Sequence, residues 1–238
     1  MKAILTGHSR GLGAAIGAEL LSRDIPVLAL ARGGNKHLQA TFPQLLEQHE
    51  IDLSDSAALM DWLSDNVLQR FLGDCRQALL INNAAIVQPV GPMSVQDPAT
   101  VARAVALNVT APLMLSAAFA AASSGERRIL HISSGAGRHP FPGWSIYCAS
   151  KAALDHHARV AVLDKESGLR ICSLAPGVID TDMQTEIRAT PIEHFPIREH
   201  FHALKRNNEL SPPTDCARRL VDYLLAEQFG RNPVADLR

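Results

Sequence analysis

Lys2-Ala3-Ile4-Leu5-Thr6-Gly7-His8-Ser9-Arg10-Gly11-Leu12-Gly13 runs from a short apolar stretch into a turn with glycines at 7, 11 and 13. Beyond it Leu12, Ala15, Ile16 and Leu20 recur at helical spacing as far as Arg23. The stretch therefore reads as strand, turn and helix. Glycine lets the backbone bend sharply and lie close to a ligand, and the N–H groups at a helix start attract phosphate oxygens. A ligand-free tight turn leaves the same trace. Its place at the first strand-to-helix junction favours the ligand.

The next apolar run, Pro26 to Arg32, reads as a second strand ending on a cation. In dinucleotide-binding folds an acid about 20 residues past the glycines receives the ribose hydroxyls of NAD, whereas arginine suits a 2′-phosphate. Ala31 and Arg32 stand where that acid is needed, and Asp24 lies before the strand. Arg10 adds a second guanidinium, so two cations can grip one phosphate. This predicts NADP(H) over NAD(H); the alternative is that both arginines are solvated surface charges. His49 to Leu53 reads as a third strand. Asp52 either meets the adenine amino group or, with Ser54, competes to cap a helix from Asp55 to about Phe71. The stretch from Gln77 is a continuous apolar strand, Ala78 to Ile81, as in a parallel sheet buried on both faces. After it, Asn82 and Asn83 can satisfy neighbouring backbone groups, while Ala84 and Ala85 leave room for a flat ligand.

Ala99 to Ser123 is alanine-rich and helical in pattern, with Asn108 as its polar oddity and Pro112 four residues on. Proline has no N–H to offer the Asn108 carbonyl. A kink and a water held at Asn108, leading towards Lys151, are expected. Arg127 to Ser133 reads as the fifth strand and delivers Ser133-Ser134 into a Gly/Pro-rich loop, then a helix carrying Tyr147 and Lys151. Four apart on a helix, those two share a face, and an ammonium beside a phenol lowers its pKa from about 10. His131 is expected to be a core histidine; His156 and His157 point to a surface or a subunit interface. Leu169 to Ala175 forms a sixth strand leading into the turn Pro176 to Thr181. Residues 182–211, with Met183, Ile187, Phe195 and Phe201, break the βα rhythm and read as a substrate lid or a docked structural hairpin. A helix from about Thr214 to Phe229 and a short strand Val234 to Leu237 complete the chain.

The 238 residues, 47% hydrophobic, suit one domain spanning 1–238. With 23 basic and 24 acidic residues, no overall field draws the chain to nucleic acid or an anionic membrane, and neither partner is expected. The apolar run Ala111 to Ala122 is too short to span a bilayer. Cys75, Cys148, Cys172 and Cys216 are widely spaced, which argues against a disulfide framework, and no ligand set has metal spacing. No secretory leader is seen in MKAILTG, and a cytoplasmic location is expected.

Together Thr6-Gly7-x-x-x-Gly11-x-Gly13, Asn82-Asn83-Ala84-Ala85, Asn108, Ser134, Tyr147-x-x-x-Lys151 and Pro176-Gly177 resemble the short-chain dehydrogenase/reductase family over essentially the whole chain. SSGAG, GWSIYCASKA and APGVIDTDMQTEIR look like the branch of sepiapterin reductases and bacterial benzil reductases. One departure is Ala85, where the family usually has glycine. The resemblance implies an α/β fold: a Rossmann-like, doubly wound, seven-stranded parallel sheet with helices on both faces. It implies that Tyr147 protonates the substrate oxygen, Ser134 holds it, Lys151 binds the nicotinamide ribose, and Asn108 anchors a water relay. By the same resemblance Gly7, Ser9, Arg10, Gly11, Leu12, Gly13, Arg32, Asp52, Leu53, Asn83, Ala84, Ala85, Pro176, Gly177, Ile179 and Thr181 line the dinucleotide.

The expected activity is NADPH-dependent reduction of a small, largely apolar ketone or diketone, with Trp144 and Met183 contacting the substrate beside Ser134 and Tyr147. Two alternatives stay open: a dinucleotide sensor without turnover, and an alcohol dehydrogenase working oxidatively. The resemblance also implies a homodimer or homotetramer paired through the helices of Asn108 and Tyr147.

Overall fold

Strands that are apolar without alternation need cover on both faces, and the chain provides it. The computed structural model of the protein describes residues 1–73 and 75–237. In chain order it runs β1 (Lys2–Thr6), α1 (Gly11–Ser22), β2 (Val27–Ala31), α2 (Lys36–Thr41) and β3 (Leu46–Glu50). Then come α3 (Ser56–Ser64), α4 (Val67–Leu72), β4 (Gln77–Asn82), α5 (Pro98–Val105), a π-helical turn (Ala106–Thr110) and α6 (Ala111–Ala122). The remainder is β5 (Glu126–Ile132), α7 (Ser145–Ala161), β6 (Leu169–Ala175), α8 (Asp182–Ala189), α9 (Arg198–Arg206), α10 (Pro213–Leu225) and β7 (Val234–Asp236).

All seven strands are parallel, in the order β3-β2-β1-β4-β5-β6-β7. Neighbouring residues of each strand serve opposite cores. Ala3, Leu5, Val27, Ala29, Leu79, Ile81, Leu130 and Leu174 pack with α1 and α10. Ile4, Leu28, Leu30, Ala78, Leu80, Ile129 and Ile171 pack with α3, α4, α6 and α7 on the other face. The order reverses between β1 and β4, where the C-terminal strand edge opens into a crevice, the place where open α/β sheets take ligands.

Several expected boundaries move. The third strand is Leu46–Glu50, not His49 to Leu53. It is an edge strand carrying Glu47, Gln48 and His49, so its polar residues hid it and the apolar Ile51 and Leu53 drew the expectation past its end. The helix expected from Asp55 to Phe71 is two helices, broken where Asn66 takes a left-handed φ of 53°. Asp55 caps α3 through its carboxylate, accepting from Ala57 and Ala58 N–H, so neither Asp52 nor Ser54 is the cap. The irregularity expected near Asn108 is a π turn in which Ala111 N–H bonds Ala106 carbonyl. Taken as one stretch, Pro98–Ala122 is 25 residues long and apolar enough to cross a bilayer. Here it is a core helix, with Ala111, Leu115 and Phe119 buried against the sheet. The expected last helix ends at Leu225 rather than Phe229, because Ala226 turns extended.

Residues 182–211 contain α8 and α9, docked by an aromatic cluster. Trp144 stacks on Phe195 with centroids 4.7 Å apart and interplanar angle 26°, and Phe201 lies 5.4 Å from Trp144. Val87, Val90, Ala136, Tyr147 and Ile187 complete this third cluster.

Candidate active site

The cleft at the strand edge has a volume of about 840 Å³. Every residue expected at the dinucleotide or the substrate lines it, including Leu53, Ile179, Trp144 and Met183. Ser134, Tyr147 and Lys151 line it too; Asn108 does not, and sits behind it, 1% exposed.

At one end lies the glycine turn. Gly7 holds φ +75°, which an L side chain rarely adopts, and a Cβ on Gly13 would collide with the Gly7 carbonyl oxygen and come within 2.5 Å of Asn83 Nδ2. Asn83 ties the turn down. Its Nδ2 donates to the carbonyls of Thr6 at 2.9 Å and Gly7 at 3.3 Å, while Thr6 Oγ1 accepts from the N–H groups of Asn83 and Ala84. Helix α1 has no side-chain cap and no acid in its first turn, so its positive end faces the cleft uncompensated. These are the features a pyrophosphate needs, and the residues present fit a nicotinamide dinucleotide.

Arg32 lines the cleft beyond this turn, with Asp52 opposite. Hydrogen bonds from Ser54 hold the Asp52 carboxyl below its ordinary range, assisted by the charges of Arg103 and Arg32. Arg103, on α5, was not foreseen; a lone arginine in an alanine-rich helix was the available signal. Arg10 lines the same cleft. It lies 3.5 Å from Asp182, with both side chains about three-quarters exposed at 72% and 75%, a contact of little energetic weight.

At the other end, α7 buries Tyr147, Ser150, Lys151, Leu154, Asp155 and Ala158 along one face. The tyrosine and lysine thus face the cleft together, as four-residue spacing requires. Lys151 Nζ donates to the Ile132 carbonyl at 2.8 Å and lies 5.6 Å from the Tyr147 ring centroid. The expected acidification of Tyr147 by Lys151 is not what the structure gives. Burial pushes the phenol up to about 12, opposed by a hydrogen bond with Ser134. Desolvation pushes Lys151 down to about 8, opposed by the negative charge of Asp155. Near neutral pH the phenol keeps its proton and the lysine remains mostly charged.

Asn108 spends its side chain on the backbone. Oδ1 accepts from Ile86 N–H at 2.9 Å, and Nδ2 donates to the Ile86 carbonyl at 2.8 Å and to Ser150 Oγ at 3.3 Å. This fixes the chain just after Ala84 and Ala85 against the helix carrying Lys151. His131 is fully buried and held near 3 by that burial, as a core histidine. It accepts from Asn82 Nδ2 and meets His157 Nδ1 at 3.1 Å. His157 is therefore partly directed inwards, unlike the exposed His156. Trp144, expected at the substrate, is 4% exposed and anchored by Phe195, Phe201 and Tyr147, so it acts as a fixed wall. No cluster of metal-ligating side chains exists among the described residues.

A family model described as short chain dehydrogenase matches residues 1–192. The chain is 32% identical over 240 residues to benzil reductase ((S)-benzoin forming) from Bacillus cereus, covering 97% of this chain and 96% of that one. It is 34% identical over 243 residues to sepiapterin reductase from Meriones unguiculatus, covering 95% and 92%. A solved short-chain dehydrogenase/reductase from Burkholderia vietnamiensis shares 47% identity and a TM-score of 0.73, covering 100% of this chain and 96% of that one. Sheet order, glycine turn and the Ser134, Tyr147 and Lys151 set agree with this match over most of its length, and the chain belongs to the short chain dehydrogenase family of oxidoreductases.

Proposed function

We propose that the protein is an NADPH-dependent reductase of small, largely apolar ketones and diketones. The observation carrying this reading is that Ser134, Tyr147 and Lys151 share one cleft with an apolar wall of Phe141, Trp144, Met183, Phe201 and Leu204. Similarity to benzil reductases, named for an aromatic 1,2-diketone, supports the substrate class. Arg32 and Arg103 beside Asp52, with no acid at positions 31 or 32, support NADP(H).

When bound, the dinucleotide supplies the hydride. Ser134 Oγ and the Tyr147 phenol hold the carbonyl oxygen and stabilise the negative charge that develops there. Tyr147, whose phenol is protonated near neutral pH and kept so by burial, gives that oxygen its proton. Lys151 holds the nicotinamide ribose, and its charge lowers the cost of the phenolate left behind. With the Asn108 side chain committed to Ile86, its main-chain carbonyl is the group through which a water would relay a proton to Lys151. Residues 182–211 cover the substrate end, docked there by the stack of Phe195 on Trp144.

Four free cysteines support a reducing, cytoplasmic setting. Exposed Val105, Val160 and Leu163, on or beside the helices of Asn108 and Tyr147, support a homodimer or homotetramer.

The test combines NADPH oxidation against a panel of aromatic diketones and simple ketones with a cofactor fluorescence titration. Turnover with benzil-like substrates is expected, falling on the order of 10²- to 10⁴-fold in Tyr147→Phe while NADPH binding persists. NADPH binding with no turnover across the panel would establish a sensor instead.

A further inference from the structure

Beneath the site lies a polar cluster that hydride transfer does not use. Asp155 follows Lys151 by one helical turn on α7 and is 1% exposed. Its Oδ1 accepts from Ser133 Oγ and from Ser173 Oγ, each at 2.7 Å, and its Oδ2 accepts from Arg138 Nε at 3.0 Å. These donors come from the end of β5, from β6 and from the loop between Ser134 and Tyr147. Arg138 continues outwards: Nη1 reaches Asp236 Oδ2 at 2.5 Å and Nη2 donates to the Ala235 carbonyl at 2.9 Å, both on β7. A buried carboxylate with three donors is a poor device for stability alone, since apolar packing does as well at less cost in desolvation. It is a good device for fixing position.

We propose that Asp155 is the positioning residue of the active site, clamping the Ser133-Ser134 peptide and the loop leading to Tyr147 onto α7 and, through Arg138, onto β7. This rests on reading Ser134, Tyr147 and Lys151 as the reacting set. The helix grips two consecutive residues of the strand end: Lys151 holds the Ile132 carbonyl and Asp155 holds Ser133. Ser134 comes next. When Lys151 turns to the ribose, Asp155 remains to keep Ser134 in register with Tyr147. The same carboxylate is the negative charge that raises the Lys151 pKa against burial. The other charged or titratable groups around the pair are Tyr147 and His157 from α7, His131 from β5, Cys172 from β6, Arg138 from the loop and Asp236 from β7.

The test uses the full-length enzyme with Asp155→Asn and, as a second variant, Arg138→Gln, which leaves the carboxylate and its two serines. NADPH affinity by fluorescence titration is followed from about pH 6 to about pH 9, spanning the lysine titration. Alongside it, kcat and KM are measured with benzil. For Asp155→Asn, kcat is expected to fall on the order of 10- to 100-fold, as misplacement of reacting groups does, with KM within about threefold. The alkaline limb of NADPH affinity is expected to move about one pH unit lower, as loss of a neighbouring opposite charge requires. Arg138→Gln should lower kcat by a smaller factor and leave that limb in place. A folded Asp155→Asn enzyme with wild-type kcat and pH profile overturns the proposal; if that variant does not fold, wild-type kcat in Arg138→Gln overturns it. Should the wild type reduce no carbonyl compound, the reading of the reaction fails, while the pH dependence of NADPH binding still reports on Asp155.

Discussion

Replacing Gly13 with alanine sets the glycine turn against its own geometry. The new methyl would fall within bonding distance of the Gly7 carbonyl oxygen, 2.5 Å from Asn83 Nδ2 and 2.7 Å from the Gly7 carbonyl carbon. Two of these atoms are backbone, and the third is an amide that holds the turn through Thr6 and Gly7. Relief requires α1 to back away from the turn. Overpacking of this kind costs about 1–3 kcal/mol, and a backbone obstacle puts the cost at the upper end. Helix propensity returns less than about 1 kcal/mol. A net loss of about 2 kcal/mol corresponds to a Tm lower by roughly 4–8 °C in a chain of this size. NADPH affinity should fall more than stability does, because the displaced N–H groups are those that face the pyrophosphate. Gly17→Ala is the control: its methyl would meet only flexible leucine tips, Leu38 Cδ1 at 3.2 Å and Leu5 Cδ2 at 3.4 Å, so stability should hold or rise. Thermal melts and NADPH titrations of both variants decide the matter. A Gly13→Ala protein that melts and binds like wild type refutes the argument.

Other perturbations act elsewhere in the site. Arg32→Asp should reverse the preference for NADPH over NADH in kcat/KM, since the new carboxylate repels a 2′-phosphate and accepts from a ribose hydroxyl; an unchanged ratio removes Arg32 as the selector. Phe195→Ala should cost about 3–5 kcal/mol in denaturant unfolding and raise the ketone KM more than the NADPH Kd, because it empties the space beneath Trp144. His131 carries a folded pKa near 3, below its unfolded value, so its contribution is complete above pH 6.5 and is lost as pH falls. Between pH 7 and pH 5 that amounts to about 2 kcal/mol, and His131→Gln should lose correspondingly less over the same interval. Equal losses in the two proteins would dismiss the histidine as the cause.

The glycine turn and the Tyr147 and Lys151 pair were legible because both depend on local spacing: a turn at a strand end, and two residues one helical turn apart. The five inner strands, β1, β2, β4, β5 and β6, were legible because both their faces are buried. β3 was misplaced because an edge strand with one neighbour carries polar residues and loses that signature. What the sequence concealed is tertiary. Burial, not Lys151, dominates the Tyr147 phenol, and no local pattern reports burial. Trp144 lines the cleft as its place three residues before Tyr147 suggests, but that Phe195, fifty-one residues later, stacks on it and fixes it is a tertiary fact. Asp155 was visible as the next residue on the Lys151 face, but its meaning needed Ser133, Ser173 and Arg138 brought to it from three other segments.

The π turn at Ala106–Thr110 carries a consequence for chain length. Such a turn amounts to one residue inserted into an α-helix, where each residue advances the helix by about 100°. The insertion sets the rotational phase of α5, whose Arg103 faces the cleft, against that of α6, whose Leu115 and Phe119 face the core. It also turns Asn108 towards Ile86. From Pro98 to Ala122 the chain is thus a counted ruler: its composition can drift among small apolar residues, but gaining or losing a single residue would swing one half away from its partners.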